Sequence, residues 1–127
     1  MDWMKTLPET MTIDIELKEY PTGGRDEIAY EVCDRVLSIV DDYGFTDRIV
    51  INTFNAKLHE YIFKKYGKKY RQHVYYPITY MGSVTVDPYS YGYCTCMFRS
   101  FYSELNMATK EEFERMAALG PQPWAGA

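Results

Sequence analysis

Residues 49–54, Ile49-Val50-Ile51-Asn52-Thr53-Phe54, decide the fold. The run is short and almost continuously apolar or β-branched, which is how a strand covered on both faces reads. On its N-terminal side, residues 25–43 carry Ile28, Val32, Val36, Leu37 and Val40 at steps of three and four. That spacing predicts a helix, and Gly44 is placed to end it. On the other side, Asn55 can cap a second helix that carries Leu58, Tyr61 and Ile62 on one face and stops at Gly67. Further out, residues 12–17 (TIDIEL) alternate and are rich in Ile, and residues 73–77 (HVYYP) form another strand-like run. Strand, helix, strand, helix, strand with short connections cannot be a set of hairpins, because parallel pairing needs crossovers. The expected class is α/β.

Beyond Tyr76 the pattern is looser. Residues 78–106 hold Tyr80, Tyr89, Tyr91, Tyr93 and Tyr102 among Gly82, Pro88 and Gly92, read as a long loop with one strand over residues 93–98. Thr109 and Glu112 make a capping box for a helix carrying Phe113, Met116 and Leu119, with Gly120 as its stop. Residues 122–127 begin a further strand. Helix, Gly stop, strand therefore recurs after Gly44, Gly67 and Gly120, the rhythm of a doubly wound sheet or of a (β/α)8 barrel. No G-x-G-x-x-G or G-x-x-x-x-G-K-[ST] loop follows any strand, which weakens the nucleotide-binding alternative.

Composition limits the function classes. In 127 residues, 46% are apolar and 25% charged, with a formal charge of −4, so no overall basic field attracts nucleic acid or anionic lipid. No run of about 18 apolar residues provides a membrane span, and no apolar leader segment is recognisable. Cys33, Cys94 and Cys96 read as reduced thiols, the last two too close along one strand for a relaxed disulfide. The expected setting is cytoplasmic. Lys64, Lys65, Lys68, Lys69 and Arg71 cluster around Tyr66 and Tyr70, a pattern shared by nucleic-acid patches and by solvated helix ends. The helix-end reading is preferred.

Chemistry concentrates in Ile13-Asp14-Ile15-Glu16-Leu17-Lys18. Alternation puts Ile13, Ile15 and Leu17 on one side and Asp14, Glu16 and Lys18 on the other. On a covered parallel sheet, charges on one face must be paired or must hold a ligand. At the C-terminal end of a barrel strand, a carboxylate suits a hard cation and an ammonium suits a phosphate. A structural salt bridge and a functional pair fit the residues equally. His59 and His73 complete no metal set by spacing and read as structural or surface side chains, His73 as opening its strand at the end away from the mouth.

IDIELKEYP resembles the glycerophosphodiester phosphodiesterase signature, an apolar strand ending in Glu-x-Lys. Residues 50–55 are similar to the strand that follows it, and residues 120–127 to the strand whose end carries that family's Trp. The resemblance implies a TIM-type (β/α)8 barrel that hydrolyses glycerophosphodiesters to glycerol 3-phosphate and an alcohol, using a divalent metal such as Mg or Ca. It implies that Glu16 is a metal carboxylate, that Lys18 sits near the substrate phosphate, and that Trp124 lines the glycerol pocket. The family's His-Arg, Glu-x-Asp and His-Asp segments have no counterpart here, and Ala125-Gly126-Ala127 replaces the residues usual after the Trp. The expectation is one partial barrel domain over residues 1–127, truncated at both ends, with about five parallel strands and intervening helices. Its metal ligand set is incomplete and the chain has no diesterase activity of its own. The alternative is a non-catalytic half-barrel module, binding or scaffolding, that self-associates through exposed strand edges.

Overall fold

The computed structural model describes residues 2–53, 55–76, 95–98 and 123–126, together with helical positions Lys110, Glu111, Glu114 and Ala118. Five strands appear: β1 (Ile13–Glu16), β2 (Ile49–Thr53), β3 (Arg71–Tyr76), β4 (Thr95–Phe98) and β5 (Pro123–Gly126). Two helices, α1 (Asp26–Asp42) and α2 (Ala56–Tyr66), make the first two crossovers. The sheet order is β1-β2-β3-β4-β5, and every neighbouring pair is parallel. The protein is therefore mixed α/β with a parallel sheet, as the strand and helix alternation requires. The Thr109/Glu112 capping box, the tyrosines of residues 78–94 and Cys94 lie outside the described residues.

Local sequence explains the elements. Asn55 adopts extended backbone and its side chain accepts from the Leu58 amide at 3.2 Å, so α2 starts where a short polar side chain can satisfy an orphan N–H. Gly67 ends α2 at φ 60°, a conformation that costs glycine nothing. Gly44 plays the same part after α1, at φ 70°. Sequential strands joined by right-handed crossovers carry their helices on one face of the sheet. The core sits on that face: Leu17, Ile49 and Ile51 pack with Cys33, Leu37 and Val40 of α1 and with Leu58 and Ile62 of α2.

One expectation about α1 needs correction. Of its five expected core residues, Leu37 and Val40 are buried and Val36 is partly so, but Ile28 and Val32 face solvent. Ala29 and Cys33 take the inner positions instead. At about 3.6 residues per turn, the sector that buries Ala29, Cys33, Leu37 and Val40 leaves Ile28 and Val32 outside it.

Two carboxylates of α1, seven residues apart, tie it to α2 and to the segment that follows α2. Asp34 accepts from Tyr61 Oη at 2.8 and 2.9 Å, from Tyr66 Oη at 2.7 Å and from Lys65 Nζ at 2.5 Å. Asp41 accepts from Thr46 Oγ1, Lys69 Nζ and Tyr70 Oη, each at 2.7 Å. Lys64 pairs with Glu60 at 2.5 Å. The lysines of the basic-aromatic cluster are thus largely engaged by the protein's own acids, and Arg71 donates to the Asp47 carbonyl at 2.9 Å. That arrangement is a bridged helix end.

Candidate functional site

The second face of the sheet carries the polar side chains. Along β1, Ile13 and Ile15 are partly buried while Asp14 and Glu16 are exposed, and Leu17 is buried again. The ladder runs one residue past the strand, where the Leu17 amide donates to the Asn52 carbonyl at 2.7 Å. This fixes the backbone between Glu16 and Lys18, whose side chains meet at 3.2 Å. The two residues that sequence reading assigned to metal and phosphate therefore come together at the C-terminal end of β1. As an ion pair they contribute little to stability, because Lys18 is 73% exposed.

Parallel register shows which other residues share this level. Glu16 is opposite Asn52, and Asn52 is opposite His73. One row across three strands thus reads Glu16, Asn52, His73, and the latter two are buried. Two rows nearer the N-terminal end, Asp14 reaches across the sheet to put Oδ2 3.6 Å from His73 Nδ1. Burial lowers the pKa of His73, and the Asp14 carboxylate opposes that shift without cancelling it. The ring is therefore neutral at physiological pH.

His73 does not sit where the sequence placed it. β3 begins at Arg71, two residues earlier than expected, so His73 lies inside the strand and level with Glu16. The alternation of β3 gave no warning: both of its faces carry polar residues, Arg71 and His73 on one and Gln72 on the other. Gln72 is spent on the helix side, where it meets His59. His59 is fully buried, with Gln72 Oε1 2.6 Å from Nδ1 and the Thr53 carbonyl oxygen 3.1 Å from Nε2. It holds the end of β2 against α2 and does not reach the polar row.

Trp124 lies on β5, with its backbone opposite Cys96 of β4. Its strand is the far edge of the sheet from β1, four strand spacings away, or about 19 Å along a flat sheet. The described backbone does not bring Trp124 beside Glu16 and Lys18.

Among the described residues, no three His, Cys, Asp or Glu side chains are placed to hold one ion. Glu16 is already occupied by the Lys18 ammonium. Asp14 and Glu16 offer part of an oxygen set for a hard cation but do not enclose one. The described residues thus supply at most part of a metal's ligand set.

What the arrangement can do is present a carboxylate, an ammonium, an amide and an imidazole along one level of a parallel sheet. Ligands of α/β sheets bind outside the C-terminal ends of the strands, where Glu16 and Lys18 stand. Comparison with family models, with curated proteins and with solved structures finds no match to this chain.

Proposed function

We propose that this chain supplies part of a phosphodiester-binding (β/α)8 barrel of the glycerophosphodiester phosphodiesterase type, which releases glycerol 3-phosphate and an alcohol. The observation that carries the reading is the Glu16–Lys18 pair at the C-terminal end of β1, level with Asn52 and His73. In this reading Lys18 meets the substrate phosphate and Glu16 contributes to a divalent metal whose remaining ligands come from outside the described residues.

The strand order supports a barrel over a doubly wound sheet. The order never reverses, so there is no switch point of the kind that doubly wound folds use for ligands.

The test is a titration of the isotope-labelled chain with glycerol 3-phosphate in the presence of Mg²⁺, read residue by residue. Shifts should gather at Glu16, Lys18, Asn52 and His73, and Lys18→Ala should weaken binding by about tenfold or more, the worth of a charge-assisted contact. No shift at this row, or unchanged binding by the variant, overturns the reading. The chain alone should show no diester hydrolysis, since the sequence has no counterpart of that family's His-Arg and His-Asp segments. Turnover by purified chain that a chelator suppresses would show that the catalytic groups have been misplaced. In a longer protein containing this segment, Glu16→Gln should abolish metal-dependent hydrolysis while leaving the melting temperature nearly unchanged, because the carboxylate is exposed and its ion pair weak.

A further inference from the structure

We infer that His59 is a positioning residue of the polar row: through Thr53 and Gln72 it fixes the height and rotation at which β2 and β3 present Asn52 and His73. The inference rests on the phosphodiester-binding reading of that row and deepens it. His59 is buried on the helix side of the sheet, whereas His73 is on the side of Asp14 and Asn52 is on the face opposite Ile49 and Ile51. Adjacent residues of a strand point to opposite faces, so holding one residue sets the rotation of its neighbour. Thr53 directly follows Asn52, and Gln72 directly precedes His73.

The two contacts of the ring bracket the level of the row. Asn52 is opposite His73, and Ile51 is opposite Gln72, one residue below. His59 Nδ1 meets Gln72 Oε1 there at 2.6 Å, and Nε2 meets the Thr53 carbonyl oxygen, one residue above, at 3.1 Å. One rigid ring therefore spans from the β3 residue below the row to the β2 residue above it. Thr53 is held at its hydroxyl as well, since the Asn55 amide donates to Oγ1 at 3.2 Å, and Asn55 in turn caps α2. Both strands are thus referred to the start of α2.

The sequence of β3 needs such a hold. Polar residues stand on both of its faces, Arg71 and His73 against Gln72, so hydrophobic alternation alone does not choose the register. Tyr70, bonded to Asp41 at 2.7 Å, fixes the entry to the strand. Gln72 carries the hold up to the row. A buried polar pair adds little stability over two apolar side chains of similar volume, but its bonds have direction. Buried polar groups select register in coiled coils in the same way.

Replacing both partners separates position from stability. His59→Leu combined with Gln72→Leu leaves neither polar side chain in the core, so its melting temperature at pH 7 should stay close to that of the wild type. Glycerol 3-phosphate with Mg²⁺, titrated against the labelled chain, should bind this variant about tenfold more weakly or worse, the usual effect of losing a contact that orients a ligand-binding group. Ile62→Val, a core change in the same helix, should lower stability and leave binding unchanged. Combined with Asn52→Ala, the Leu pair should cost less than the two changes separately, whereas with Lys18→Ala the costs should add. If the Leu pair does not fold, Gln72→Leu alone takes its place with the same expected direction. Binding that depends on Lys18 but is indifferent to these variants overturns the positioning role and leaves the phosphodiester reading standing. A wild type that does not bind overturns that reading, and nuclear Overhauser contacts between β2 and β3 in the free chain then decide the positioning role by themselves. A second set of contacts at the Asn52–His73 level in the Leu pair supports it, and a single unchanged set overturns it.

Discussion

Acidification should cost this protein about 3 kcal/mol of stability between pH 7 and pH 4, and His59 should be responsible for most of it. Burial pushes the His59 pKa down to about 4 from 6.5, outweighing the opposing contributions of its contacts with Gln72 and Thr53. Below pH 6.5 the unfolded chain takes up a proton that the folded chain refuses, so unfolding gains as pH falls. The stability is fully present above the unfolded pKa and is lost progressively down to the folded one. Two and a half pKa units at ~1.4 kcal/mol each give the magnitude. His73, also held low by burial, adds in the same direction. Both neighbours of the His59 ring are drawn as acceptors, Gln72 Oε1 and the Thr53 carbonyl, whereas a neutral ring has one N–H to give. Gln72 Nε2 has no hydrogen-bond partner among the described residues. The neutral ring is satisfied once the amide turns that NH₂ group to Nδ1, and protonation reverses the turn. Urea titrations from pH 7 to pH 4 measure the slope. His59→Gln should be less stable at pH 7 but nearly flat over this range. A wild type that holds its stability to pH 4.5, or a variant with the wild-type slope, would remove His59 from this role.

Asp34→Ala should destabilise the fold by about 3 kcal/mol. Partial burial raises the Asp34 pKa, but Lys65, Tyr66 and Tyr61 together outweigh it and hold the carboxyl below its ordinary range. The magnitude comes from the two tyrosines, whose hydroxyls would lose a charged acceptor, at ~1.5 kcal/mol each. Nothing is assigned to Lys65, which is exposed. Thermal unfolding of Asp34→Ala and of Asp34→Asn would separate charge from hydrogen bonding, since Asn still accepts. Asn should retain part of the loss, and Tyr61→Phe combined with Asp34→Ala should cost less than the two separately. Additive effects would show that the bond between α1 and α2 at this point is not the stabilising feature. Asp41, likewise held low despite its own burial, has the same arrangement with Lys69, Tyr70 and Thr46. Both carboxylates contribute stability above the unfolded carboxylate pKa that is lost as pH falls through their lowered values.

The polar row shows why the site was only half legible in sequence. Glu16 and Lys18 are two apart on one strand, and alternation alone places them on one side. Asn52 and His73 join them through register, a property of three strands at once. A shift of one residue in β3 would have put Gln72 in the row and His73 under α2. The Asp34 and Asp41 contacts with residues beyond position 60 are equally non-local, and only their seven-residue spacing on α1 could have drawn attention to them.

By itself the sequence determined the elements: the strands from apolar runs, the helices from spacing, their ends from Asn55, Gly44 and Gly67, and parallel pairing from the alternation of strand and helix. These are local or nearly local choices, governed by backbone sterics, capping and periodicity. The tertiary structure decided which face of each element is used. Ala29 and Cys33 took the inner positions of α1 and left Ile28 and Val32 outside the core, and register brought His73 level with Glu16. Those choices depend on the packing of several elements at once, and no single stretch of chain contains them.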